Sequence, residues 1–103
     1  MVALTLTATL STASAKSHLG VPLPPGAKQV SENRFKSTKG FWETIKWMEN
    51  QFRKRGLRVR FVKTMDLPDV VSSHAGSPKP STSWVGINVS RYGGSTKIFV
   101  IKR

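Results

Sequence analysis

Apolar and polar positions recur along this chain with two different periods, and the longest regular stretch has the helical one. From Thr38 to Arg55 the sequence reads TKGFWETIKWMENQFRKR, closed by Gly56. Phe41, Ile45, Met48 and Phe52 recur at spacings of three and four, so on a helix they form one narrow, core-facing stripe. Lys39, Glu43, Lys46, Asn50 and Arg53 gather on the opposite side, where solvent is expected. Glu49 precedes Arg53 by four residues, the favourable order for a helical ion pair. Ser37 or Thr38 is placed to cap the start. Gly56 suits the left-handed position just past the end, with Leu57 free to pack back on the last turn. Arg53, Lys54 and Arg55 suit the negative end of the helix dipole. Trp42 and Trp47 flank the stripe and read as partly buried boundary aromatics, or else as a contact surface for a partner.

The second period is two. Leu57, Val59 and Phe61 alternate with Arg58 and Arg60, which predicts a half-buried strand from Leu57 to Lys63. Trp84 to Val89 predicts another, with Val85, Ile87 and Val89 on one face and Trp84, Gly86 and Asn88 on the other. Thr96 to Lys102 holds the run KIFVIK, expected as a strand buried on both faces. Gly93-Gly94 between the last two supplies the positive φ of a tight hairpin. Before the helix, residues 27–36 offer an edge strand marked by Val30 and Phe35. Residues 66–83, DLPDVVSSHAGSPKPSTS, are half Ser, Pro and Gly and predict a long loop, the kind that carries function or moves. Residues 16–26, KSHLGVPLPPG, hold three of the six prolines and predict an extended leader in which His18 is solvated. The resulting expectation for residues 27–103 is a single two-layer α+β domain. Its order is β-α-β-β-β, an antiparallel sheet with one amphipathic helix packed across one face.

Length and composition narrow the class. At 103 residues the chain holds one small domain, and 38% apolar residues give it a modest core. No apolar run approaches the ~18 residues a helix needs to cross a bilayer. With no cysteine there is no disulfide scaffold, thiolate metal site or thiol nucleophile. Residues 1–15, MVALTLTATLSTASA, carry no charge, while all 17 basic residues lie at position 16 or later. An apolar stretch from Val2 to Leu10 leads to Ala13-Ser14-Ala15, the A-x-A form that signal peptidase accepts. The expectation is a signal peptide cleaved after Ala15 and a mature chain, starting at Lys16, that is periplasmic or secreted. No basic residue precedes the apolar stretch, and three threonines interrupt it. The alternative is a cytoplasmic protein that retains residues 1–15.

Charge points to a partner. Lys and Arg number 17 against 5 Asp and Glu, a formal net charge of +12. That exceeds the magnitude of about 2–8 that solubility calls for in a small domain. Lys39, Lys46 and Arg53 recur along one strip of the helix. Arg58 and Arg60 share one face of their predicted strand, and Trp84 is expected on the same face of the sheet. Basic side chains interleaved with an aromatic ring fit phosphate neutralisation combined with base stacking. These six residues are the candidate polyanion-binding set. Charge sign alone does not choose among nucleic acid, anionic lipid head groups and acidic envelope polymers.

Candidate chemistry is sparse. There is no G-x-S-x-G elbow, no phosphate-cradling glycine loop and no H-E-x-x-H. Five acids, two of them on the helix beside basic residues, leave little room for a catalytic carboxylate pair. Asp66, Asp69 and His74 match no metal-ligand spacing, and Asp66-Leu67-Pro68-Asp69 reads as a turn, so neither metal nor cofactor is expected. The enzyme alternative is a small metal-independent ribonuclease similar in outline to barnase-like or RelE-like toxins. It would draw its acid, base and phosphate clamp from His74, Arg91 and Tyr92, with Arg58 and Arg60, though no motif ties these together. The leading expectation is a non-enzymatic exported binding domain for a polyanion; a cytosolic nucleic-acid-binding module is the third reading.

Pro24-Pro25-Gly26-Ala27-Lys28, the helix with Phe41, Ile45 and Phe52, and Gly86-Ile87-Asn88-Val89 follow one another behind a signal-like segment. In that order the chain resembles small uncharacterised exported bacterial proteins with a PPGA-type opening, one amphipathic helix and a C-terminal antiparallel sheet. The resemblance spans most of residues 21–103. It implies export and carries no activity with it.

Overall fold

The computed structural model describes residues 16–103, so the signal peptide expected at 1–15 lies outside the described residues. The elements in chain order are β1 (Ser17–His18), β2 (Val21–Pro22), β3 (Lys28–Ser31), β4 (Arg34–Lys36), α1 (Phe41–Lys54), β5 (Val62–Asp66), β6 (Val70–Gly76), β7 (Trp84–Tyr92) and β8 (Ser95–Lys102). Six strands form one sheet in the order β3-β4-β8-β7-β6-β5, with every neighbouring pair antiparallel, and β1 and β2 form a small sheet of their own. Helix α1 packs on β7 and on β2. This is the α+β architecture the pattern predicts, an antiparallel sheet with one helix across one face. It has more strands than the order β-α-β-β-β allows. Among the described residues no helix is long and apolar enough to cross a membrane.

The helix follows its stripe: Phe41, Ile45, Met48 and Phe52 are buried. Its N-cap is Gly40, not Ser37 or Thr38, and the Gly40 N–H donates to Glu43 Oε1 at 3.1 Å. Ser37 Oγ instead accepts from the Lys39 N–H and bonds Thr44 Oγ1, a buried link between the approach to the helix and its first turn. At the other end Gly56 adopts φ +79°, with Gly56 N–H donating to Arg53 O and Leu57 N–H to Phe52 O, the paired bonds of a Schellman motif. The expected Glu49–Arg53 pair does not form: Glu49 Oε2 accepts the Phe61 N–H, and Arg53 Nη2 donates to Asn50 Oδ1.

Four expectations about strands are corrected. Residues 27–36 form the β3–β4 hairpin in place of one edge strand, because the chain turns at Glu32-Asn33 and pairs with itself; Phe35 is buried and Val30 exposed. Leu57 to Phe61 is not strand; the alternation still points Val59 into the core and Arg58 and Arg60 outward, and pairing begins only at Val62. The predicted loop 66–83 contains β6, whose core-facing positions are Val71, Ser73 and Ala75. Small and hydroxyl side chains there hide the period from a hydrophobicity reading, since Ser73 is as buried as a valine. β8 is not buried on both faces: Thr96, Ile98 and Val100 are buried while Lys97 is exposed and Phe99 and Ile101 are half-buried, because α1 packs on one face of the sheet.

The leader also departs from expectation. Val21, Pro22, Leu23 and Pro24 are buried, so the segment is extended but packed into the core. His18 is not solvated: its Nε2 bonds Asn33 Oδ1 at 2.8 Å, and its ring lies 5.0 Å from that of Phe35. As expected, Asp66–Asp69 is a turn, with Leu67 and Val70 exchanging both backbone bonds. Gly93 and Gly94 at φ +62° and +84° close the β7–β8 hairpin as predicted.

Candidate functional site

The end of α1 positions the candidate basic residues. The Schellman turn at Gly56 sends the chain back along the helix, and the Glu49 carboxylate holds that return by accepting the Phe61 N–H at 3.0 Å. Between these two fixed points lies an open cleft of about 550 Å³ lined by Glu49, Arg53, Gly56, Leu57, Arg58, Val59 and Arg60. Three of the six predicted polyanion-binding residues, Arg53, Arg58 and Arg60, thus share one concave surface, with Glu49 as its sole carboxylate. Each arginine is exposed, so the guanidinium forks are hydrated and reachable. Lys46 stands exposed two helical turns before Arg53 and extends the strip toward the cleft.

The other two do not join them. Lys39 precedes the helix, at its far end, and is half-buried. Trp84 is in the core at 1% exposure, its ring 5.5 Å from that of Phe52. The cause is a break in register between Trp84 and Gly86, where β7 gains a residue relative to β8. A bulge reverses the alternation upstream of it, so Trp84 turns to the helix side and Val85 to solvent. No base can stack on Trp84.

The alternative catalytic residues are dispersed. Arg91 pairs with Thr96 and Val71, both buried on the helix side, whereas Tyr92 points to the opposite face. His74 is on Tyr92's face but opposite Asn88, four residues or about 13 Å along the strand from Tyr92. His74 Nδ1 bonds Asn88 Oδ1, and the ring lies over Gly86. Arg58 and Arg60 belong to the cleft.

The uncovered face of the sheet was not anticipated. Arg34, Phe99, Asn88 and His74 form one row across β4, β8, β7 and β6. Lys36, Lys97, Ser90 and Ser72 form the next. The signal for it lay in β8, where Lys97 and Phe99 alternate with Thr96, Ile98 and Val100. Glu32 and Asp69 sit in turns, Glu43 and Glu49 on the helix, and Asp66 pairs with core-facing Val71, so among the described residues no strand position on this face is a carboxylate. No protein-family model, curated protein or solved structure matches the chain.

Proposed function

We propose that this chain is a small exported basic domain that binds a polyanion without catalysis, through the arginine cleft at the end of α1. The observation that carries the reading is the meeting of Arg53, Arg58 and Arg60 around one cleft. Guanidinium groups present several donors in a fixed fork and pair with phosphate, sulfate or carboxylate groups bidentately. Three of them beside a single carboxylate leave a local excess of positive charge that an anionic polymer would neutralise. The dispersal of His74, Arg91 and Tyr92 supports binding over a ribonuclease. Cleavage after Ala15 would direct the cleft to acidic envelope polymers or lipid head groups; retention of residues 1–15 would direct it to nucleic acid in the cytosol.

The test is titration of the full chain with a labelled heparin fragment over a range of salt. Affinity should fall steeply with ionic strength. A variant with Arg53, Arg58 and Arg60 all changed to Ala should bind at least tenfold more weakly while keeping its circular-dichroism spectrum. Absence of affinity at low salt, or an unaffected triple variant, refutes the assignment. The intact mass of the protein from its native host decides export, since a species beginning at Lys16 outside the cytoplasm is required.

A further inference from the structure

The face of the sheet turned away from α1 has its own composition, independent of the cleft. Phe99 on β8 lies in the row with Arg34, and Tyr92 on β7 lies two rows further on, with Lys36 and Lys97 in the row between them. Residues of one face are two apart along a strand, so successive rows are separated by about 6.8 Å. Ring, cation and ring therefore follow one another at regular intervals across two neighbouring strands. Tyr92 is 70% exposed. The guanidinium of Arg34 lies 4.7 Å from the centroid of Phe99, so one face of that ring already accepts a flat cationic group. Asn88, Ser90 and Ser72 add hydrogen-bonding groups between the rings and β5. Among the described residues no strand position on this face carries a carboxylate to oppose an anion.

We propose that this face binds single-stranded nucleic acid, with bases stacked on Phe99 and Tyr92 and phosphates held by Arg34, Lys36 and Lys97. A single strand fits because its unpaired bases expose the flat surfaces that a duplex hides in its own stack. An acidic polysaccharide would meet the cations too, but its sugar rings offer an aromatic face C–H contacts in place of base stacking. The site shares no residue with the arginine cleft.

The experiment compares two fluorescein-labelled probes on the full chain: oligothymidylate, and an abasic deoxyribose-phosphate strand of the same length. Stacking makes the oligothymidylate bind about tenfold or more tightly than the abasic strand. Tyr92→Ala, at an exposed position, should remove most of that difference. Arg58→Ala with Arg60→Ala should leave the ratio intact. Tyr92 is the only tyrosine, so its ring resonances report contact directly and should move with oligothymidylate and not with the abasic strand. Equal affinity for the two probes, or a ratio unchanged by Tyr92→Ala with unmoved ring resonances, overturns the proposal. Heparin binding without any preference for bases would leave the cleft standing and remove this site; failure of every probe removes both.

Discussion

At Gly86 the sheet has room for a hydrogen and nothing more. A Cβ built there would stand 2.6 Å from His74 Cε1, because the imidazole, held by Asn88 Oδ1, lies across this position. Gly86→Ala forces the ring to move and breaks its hydrogen bond, so it should destabilise the fold by about 1–3 kcal/mol. His74→Ala empties the space, and the double variant should recover much of the loss. Urea denaturation of the four proteins in this cycle checks it, and simple additivity would show that the ring is not the obstacle. Trp84 carries a larger share of stability. Its indole is buried against Phe52, and Trp84→Ala should cost about 3–5 kcal/mol by the usual measure for large aromatic truncations. Neither role could be read from residue type, since Trp84 is a core residue only by virtue of the bulge beside it.

Among the elements, α1 is the one whose inward side and C-terminal stop follow directly from local sequence. Its stripe, its glycine stop and the pair of bonds behind that stop are all local in the chain. Gly56→Ala keeps open space around the new methyl but places a non-glycine residue at φ +79°, which should cost about 1–2 kcal/mol. For a domain of this size that lowers the melting temperature by roughly 4–8 °C per kcal/mol. The segment after β6 is held from a distance instead. Arg103 donates to the carbonyl oxygens of Lys79, Thr82 and Trp84, and Ser77 Oγ bonds Thr82 Oγ1. Arg103→Ala should therefore speed amide exchange at backbone positions of 77–83 and leave α1 protected, whereas a uniform change across the chain would contradict this tether. Ser, Pro and Gly content made the whole of 66–83 resemble a linker; only pairing with β5 and β7 turns its first half into a strand.

Over the whole molecule, six of the 17 basic residues gather on two surfaces, Arg53, Arg58 and Arg60 at the cleft and Arg34, Lys36 and Lys97 on the sheet face. Arginines dominate the cleft at the end of α1, and lysines with rings occupy the uncovered sheet. Each cation that neutralises a phosphate on a single strand contributes about −0.7 to the slope of log K against log salt. Replacing Lys36 and Lys97 with Ala should therefore flatten the slope for oligothymidylate by about 1.4. An unchanged slope would place the phosphates elsewhere. Both side chains are exposed, so the fold should tolerate the change.

Sequence alone determined what depends on neighbours in the chain: the helix and its inward stripe, the glycine that ends it, the hairpin at Gly93-Gly94, the turn at Asp66–Asp69 and the α+β class. These follow from spacing and backbone freedom within a few residues. The tertiary structure decided what depends on pairing between distant segments. It made a strand of β6 despite its small polar side chains, turned Trp84 inward through a register shift against β8, packed the proline-rich leader into the core, and gathered Arg53, Arg58 and Arg60 around one cleft. A strand's face is fixed by its partner's register, and one inserted residue reverses it, so periodicity within a single segment does not carry that information.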